Sequence, residues 1–186
     1  MGGRTMAAKS DNTNSNFPLA GSASDGWSTE EEATATCYCG AVQLAFPAQA
    51  PGLVDTFICN CTDCHKITAS MFATNFVIKD TYSKHLRGKE MLTIYCQSKT
   101  TITGKAMTNF FCSVCGSLMY RTSEVFPGHS ILRTGTVDDL SLHETKLRPS
   151  VEIFTKDRPS WLCGANGVGQ FKTAPPTLRD TPIPNP

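Results

Sequence analysis

Seven of the chain's nine cysteines fall in three tight groups, and no other feature of its 186 residues constrains fold and chemistry as strongly. The groups are Cys37-Tyr38-Cys39-Gly40, Cys59-Asn60-Cys61-Thr62-Asp63-Cys64-His65 and Cys112-Ser113-Val114-Cys115-Gly116, while Cys96 and Cys163 stand alone. An odd number of cysteines cannot all pair within one chain. The N-terminal stretch lacks the apolar centre of a secretory signal. The thiols are therefore expected in a reducing, cytoplasmic setting, where clustered cysteines serve metals rather than disulfides. Thiols two or three residues apart are badly placed to bridge each other and well placed to share one ion.

The three groups differ chemically. In the first and third, glycine directly follows the second cysteine. A tight turn that aims backbone N–H groups at a thiolate often needs φ > 0 at that point, which glycine supplies without strain. Together the two knuckles offer Cys37, Cys39, Cys112 and Cys115, enough for a closed tetrahedral zinc site. An ion held there would staple two distant parts of the chain. The middle group offers Cys59, Cys61 and Cys64, with no glycine after it. Three protein ligands and one vacant position is the pattern of a catalytic zinc. In the alternative, His65, Cys96, Cys163 or Asp63 closes the set and the site is structural. Cys96 and Cys163, as singletons, read first as small buried apolar residues.

Charge narrows the function classes. Lys plus Arg is 17 against 16 for Asp plus Glu, a formal net charge of +1. With no basic excess, no nucleic-acid partner is expected. With no apolar run long enough to span a bilayer, no membrane partner is expected. Charged residues make up 18% of the chain, below the roughly 25% of average soluble proteins. That suits strands buried on one face. Residues 1–33 are rich in Ser, Thr, Asn, Ala and Gly and are expected to be disordered, as is the proline-rich tail 174–186. The folded domain is expected over 34–173. Within it Val42, Leu44 and Phe46 alternate with polar or small residues. Short β-rich runs follow at 54–58, 72–78, 92–96, 107–111, 118–120, 130–137 and 151–154. Single helical turns are expected at 63–70 and 138–140. The fold class is thus mainly β, a zinc-stapled sheet domain with few short helical turns.

The ordered series Cys-x-Cys-Gly, Cys-x-Cys-x-x-Cys and Cys-x-x-Cys-Gly resembles that of the glutathione-dependent formaldehyde-activating enzymes, also called the centromere protein V family. The resemblance runs from Cys37-Tyr38-Cys39-Gly40-Ala41-Val42 through Cys64-His65-Lys66 and Phe111 to Ser117, and ends near Arg158-Pro159-Ser160-Trp161-Leu162. It implies a fold of the methionine sulfoxide reductase B type. It also implies a structural zinc on Cys37, Cys39, Cys112 and Cys115, and a second zinc on Cys59, Cys61 and Cys64 with glutathione engaging that region. In one departure, Thr68-Ala69-Ser70 stands where many members carry a Thr-Gly-Ser turn.

A thiol entering beside a zinc–thiolate centre is deprotonated more easily. Thiolate and aldehyde give a hemithioacetal, and the reverse step is carbon–sulfur cleavage, so the expected activity is a zinc-dependent carbon–sulfur lyase. The catalytic centre would be Cys59, Cys61 and Cys64, with two zinc ions per chain as cofactors. An anionic tripeptide needs cations and a lined pocket, for which His65, Lys66, Asn75, Arg158 and Trp161 are the candidates. His85, His129 and His143 read as ordinary loop or surface residues. Competing readings are a non-enzymatic zinc-stapled binding module, a member acting on a biosynthetic intermediate without glutathione, and a thiol redox enzyme using Cys163 or Cys96. Homo-oligomerisation through strand edges stays open.

Overall fold

A computed structural model describes residues 23–174. Residues 1–22 of the expected disordered segment and 175–186 of the proline-rich tail lie outside the described residues. In chain order the elements are β1 (Glu32–Thr36), β2 (Gln43–Pro47), β3 (Leu53–Cys59), α1 (Thr62–Thr68), β4 (Ala73–Lys79), β5 (Lys84–Arg87) and β6 (Leu92–Gln97), then β7 (Met107–Cys112), β8 (Leu118–Ser123), β9 (His129–Arg133), α2 (Ser141–Glu144), β10 (Val151–Ile153) and β11 (Gly169–Phe171). The chain is mainly β, as its period-two patterning implies.

Two sheets form. One has the order β1-β2-β5 and the other β11-β10-β3-β4-β9-β8-β7-β6. Alternation along the central strands of the larger sheet divides their side chains between two faces. Phe76, Ile78 and Leu132 join Ala33, Leu44 and Phe46 of the smaller sheet, and Val42 just before β2, in the main core. The Phe46 and Phe76 rings meet at 4.8 Å, tilted by 52°. Each fully buried aromatic of this kind contributes roughly 1.5–3 kcal/mol. On the opposite face Phe57, Cys59, Ala73, Ile131, Val151 and Ile153 pack with Cys64 of α1. The middle cysteine group therefore belongs to a second core under α1.

Several local outcomes refine the reading of the sequence. Strands β1, β5 and β11 escape the pattern, because Glu-Ala-Thr-Ala-Thr, Lys-His-Leu-Arg and Gly-Gln-Phe carry few large apolar residues. The run at 130–137 is strand only to Arg133, then turns through a 3₁₀ segment, Thr134–Thr136, containing Gly135. The helical turn expected at 138–140 falls at α2, where the Asp139 carboxylate accepts from the Ser141 N–H at 3.0 Å and its hydroxyl at 2.7 Å. Residues 23–31 lie along the domain: the Trp27 N–H donates to Thr34 Oγ1 at 2.9 Å, and Arg87 Nη2 donates to Asp25 Oδ1 at 3.0 Å.

Candidate metal centre

All nine cysteines are free thiols, and seven of them assemble into two groups. Within each group the sulfurs lie within 4.8 Å of one another, close enough to hold a metal ion. The four-thiol group joins two hairpins. Cys37 and Cys39 lie in the loop after β1, Cys112 ends β7, and Cys115 lies in the turn before β8. Their sulfurs approach at 3.6 Å (Cys37 to Cys39) and 3.7 Å (Cys39 to Cys112). A tetrahedron with zinc–sulfur bonds of about 2.3 Å has edges of about 3.8 Å, so the donor set fits zinc. The two knuckle glycines adopt φ +81° (Gly40) and +76° (Gly116). The turn so formed lets the Val42 N–H donate to Cys37 Sγ at 3.2 Å. Burial pushes the Cys37 thiol up to about 12 in spite of that bond. Cys115 falls to about 6: burial opposes the fall, and the hydroxyl and N–H of Ser117 outweigh it.

The three-thiol group forms where β3 runs out. Cys59 lies between Ile153 of β10 and Ala73 of β4 in the sheet. The Asn60 N–H donates to the Ile153 carbonyl at 3.1 Å, which extends that pairing by one residue. Cys61 is the N-cap of α1, its sulfur accepting from the Cys64 N–H at 3.4 Å. Cys59 and Cys61 sulfurs are 3.4 Å apart. No fourth Cys, His, Asp or Glu ligand atom joins this group among the described residues. Of the four residues that could have closed it, Asp63 accepts from the Thr100 hydroxyl at 2.6 Å, Cys96 accepts from Thr108 on exposed β6, and Cys163 is exposed. His65 sits on α1 with Nε2 buried and unbonded among the described residues.

Two arginines beneath this group went unnoticed in the sequence. Register places Arg121 of β8 across from Ile131, and Arg133 of β9 across from Asn75 of β4, all on the α1 face. Both are buried, with 8% and 6% of their surface exposed. Arg121 Nη1 donates to Cys64 Sγ at 3.6 Å. Arg133 Nη1 donates to Asn75 Oδ1. The Cys64 thiol is held well below its ordinary range, first by hydrogen bonds from Cys59 and Cys61, then by the charges of Arg121 and Arg133. Cys59, which donates within the group, is pushed up instead. Burial and the neighbouring Arg121 pull Arg133 down to about 10. The signal that could have found this pair is a charge in the middle of an apolar strand run, since arginine is rarely buried without a partner.

A cavity of about 370 Å³ opens between the end of α1, the start of β4 and the second knuckle. Ile67, Phe72 and Leu118 give it apolar walls, Ser117 and Thr136 give it hydroxyls, and Arg133 is its one charged residue. The three thiols do not wall the cavity; Arg133 is the residue that cavity and thiol group share.

Residues 32–157 match the family model described as glutathione-dependent formaldehyde-activating enzyme. The chain belongs to that family. Among solved structures, a Rhodobacter sphaeroides protein is similar over 57% of this chain and 89% of its own, with 22% sequence identity and a TM-score of 0.45. No curated protein matches.

The formaldehyde-activating family's cysteine series thus occupies two compact centres, but the residues expected to bind substrate are scattered. Lys66 is exposed on α1, and Trp161 is 71% exposed. Asn75 is fully buried and holds Arg133. Arg158 is engaged elsewhere: its Nη1 donates to Glu152 Oε1 and to Gln170 Oε1, both at 2.8 Å. None of His65, Lys66, Asn75, Arg158 and Trp161 walls the cavity. Arg158 instead completes a network around the buried Glu152. Glu152 also accepts from Asn60 Nδ2 at 2.9 Å and from the Ala165 N–H at 3.0 Å. The network thereby ties the loop between Cys59 and Cys61 to the C-terminal segment. Ala69 is the left-handed cap of α1, with φ 50° and ψ 37°.

Proposed function

We propose that the chain joins a thiol, glutathione by family, to an aldehyde at the Cys59–Cys61–Cys64 centre and catalyses the reverse carbon–sulfur cleavage. The supporting observation is three converging thiols with no fourth protein ligand among the described residues, underlain by two buried guanidiniums. Cys59, Cys61 and Cys64 would hold one zinc ion, and Cys37, Cys39, Cys112 and Cys115 a second, structural one. When bound at the three-cysteine centre, zinc supplies stabilisation of a substrate thiolate. Three thiolates and two guanidiniums leave a divalent cation there with one positive charge in excess, which a single incoming thiolate neutralises.

In the addition, the S–H bond breaks and a sulfur–carbon bond forms at the aldehyde carbon. The carbonyl π pair becomes an O–H bond with the proton released from sulfur, and nothing is oxidised or reduced. The chain's own part is to bind and to hold charge. Arg121 donates to Cys64 Sγ, α1 fixes the spacing of Cys61 and Cys64, and the Glu152 network fixes Cys59 relative to Cys61. Ile67, Phe72 and Leu118 give the adjoining cavity apolar walls. Native mass spectrometry of the zinc-loaded protein, with and without millimolar glutathione, tests the reading. Two zinc ions per chain and a glutathione adduct that disappears in Cys61→Ser are expected. Two zinc ions indifferent to glutathione would overturn it.

A further inference from the structure

Arg133 carries more than a counter-charge for Cys64. Its Nη1 is anchored by Asn75 Oδ1, while Nε and Nη2 are buried and have no hydrogen-bond partner among the described residues. A buried N–H left without an acceptor costs free energy, more so on a charged group. Two such groups on one side chain call for an explanation. Nε–H and the Nη2–H beside it lie on the same edge of the guanidinium plane and point in parallel. That edge is the fork that receives both oxygens of a carboxylate. Arg133 also walls the 370 Å³ cavity, whose lining contains no Asp or Glu to occupy the fork.

We propose that Arg133 is a substrate-binding residue that takes a carboxylate, side-on through Nε and Nη2, within this cavity. Asn75 is its positioning residue: it holds Nη1, while Nε and Nη2 have no hydrogen-bond partner among the described residues. The inference rests on the cavity serving the three-cysteine centre proposed above. It adds that the substrate pair brings a carboxylate to within reach of that centre. Two sources share this chemistry: a carboxylate of the tripeptide thiol, or one carried by the aldehyde itself.

The test is calorimetric titration of the zinc-loaded protein with two matched ligand pairs: glutathione against its diethyl ester, and glyoxylate against glycolaldehyde. A bidentate guanidinium–carboxylate contact corresponds to roughly 10- to 100-fold in affinity. At least one carboxylate ligand is expected to bind the wild type at least 10-fold more tightly than its neutral partner. The pair that shows the difference names the source. In R133Q the difference should vanish. R133K keeps the charge but not the fork, and should lose most of it. No preference in either pair, or a preference that survives R133Q or is intact in R133K, overturns the proposal. Should R133Q fail to fold, the wild-type pairs and R133K still decide. Equal binding of glutathione and its ester, with no preference between the aldehydes, removes the fork and leaves the thiol reading intact. A glyoxylate preference without any glutathione binding does the reverse.

Discussion

Ala69→Gly should stabilise the protein without touching its chemistry. Ala69 caps α1 in the left-handed region at φ 50°, its N–H directed at the carbonyls of His65 and Lys66. An L-residue with a Cβ in this conformation costs roughly 1–2 kcal/mol. Glycine removes that cost but brings back roughly 0.4–1 kcal/mol of unfolded-state freedom. The net gain is about 0.5–1 kcal/mol, or a rise in Tm of about 2–4 °C per kcal/mol for a domain of this size. The urea midpoint of wild type and variant, both at the same saturating zinc concentration, measures it. Metal must be held equal because its release would break the two-state analysis. The slope with denaturant should not change. Ala69 is exposed and does not wall the cavity, so glutathione affinity should stay within error of wild type. A midpoint that falls would refute the reasoning, since it would mean the left-handed cap carries no strain for glycine to relieve.

Three further perturbations test other parts of the molecule. Cys112→Ser removes one thiol of the staple between the two hairpins. Structural zinc sites contribute apparent energies of about 10–16 kcal/mol, as large as a domain's whole stability of about 5–15 kcal/mol. Cooperative unfolding followed by near-ultraviolet circular dichroism should therefore be lost, and an unchanged melting curve would count against the staple. Burial raises buried Asp55 from its ordinary 3.8 to about 6, only partly offset by the Thr56 N–H and the Ser150 hydroxyl. The native state then holds this proton more tightly than the unfolded chain does. Its contribution is full below about pH 4 and is lost as pH rises through 6, an amount of about 3 kcal/mol. The stability of wild type minus that of Asp55→Asn should decline across this window, and a flat difference would show the carboxyl to be unperturbed. Glu152→Gln should loosen the Asn60 loop, so that a chelator strips the three-cysteine centre several-fold faster while the four-cysteine centre is unaffected. Equal acceleration at both centres would show a general loss of stability instead.

The two cysteine groups were legible in the sequence because each is built from local pieces, one from a single run of three cysteines and the other from two glycine-ended pairs. Spacings of two and three residues, and glycine after the second cysteine of each knuckle, set the turn geometry wherever the strands lie. The positive φ of Gly40 and Gly116 follows from that local requirement. The residues around the centres obey a different rule. Arg121 and Arg133 reach Cys64 only because the strand order is β3-β4-β9-β8, and a one-residue slip would turn both to the other face. Period two says that Arg133 shares a face with Ile131, but not that Asn75 lies opposite it. Arg158 shows the converse. Its nearness to Trp161 in the chain suggested a shared pocket, yet the parallel pairing of β10 with β3 aligns Glu152 with Ile58, one residue before Cys59. A buried carboxylate there, 2% exposed, takes the nearest cation, and that cation is Arg158. Arg158 is held there through Nη1, by Glu152 and Gln170, and it does not wall the cavity. The anion-binding role proposed above goes to Arg133 rather than Arg158 because Arg133 walls the cavity and its Nε and Nη2 are buried without a partner among the described residues.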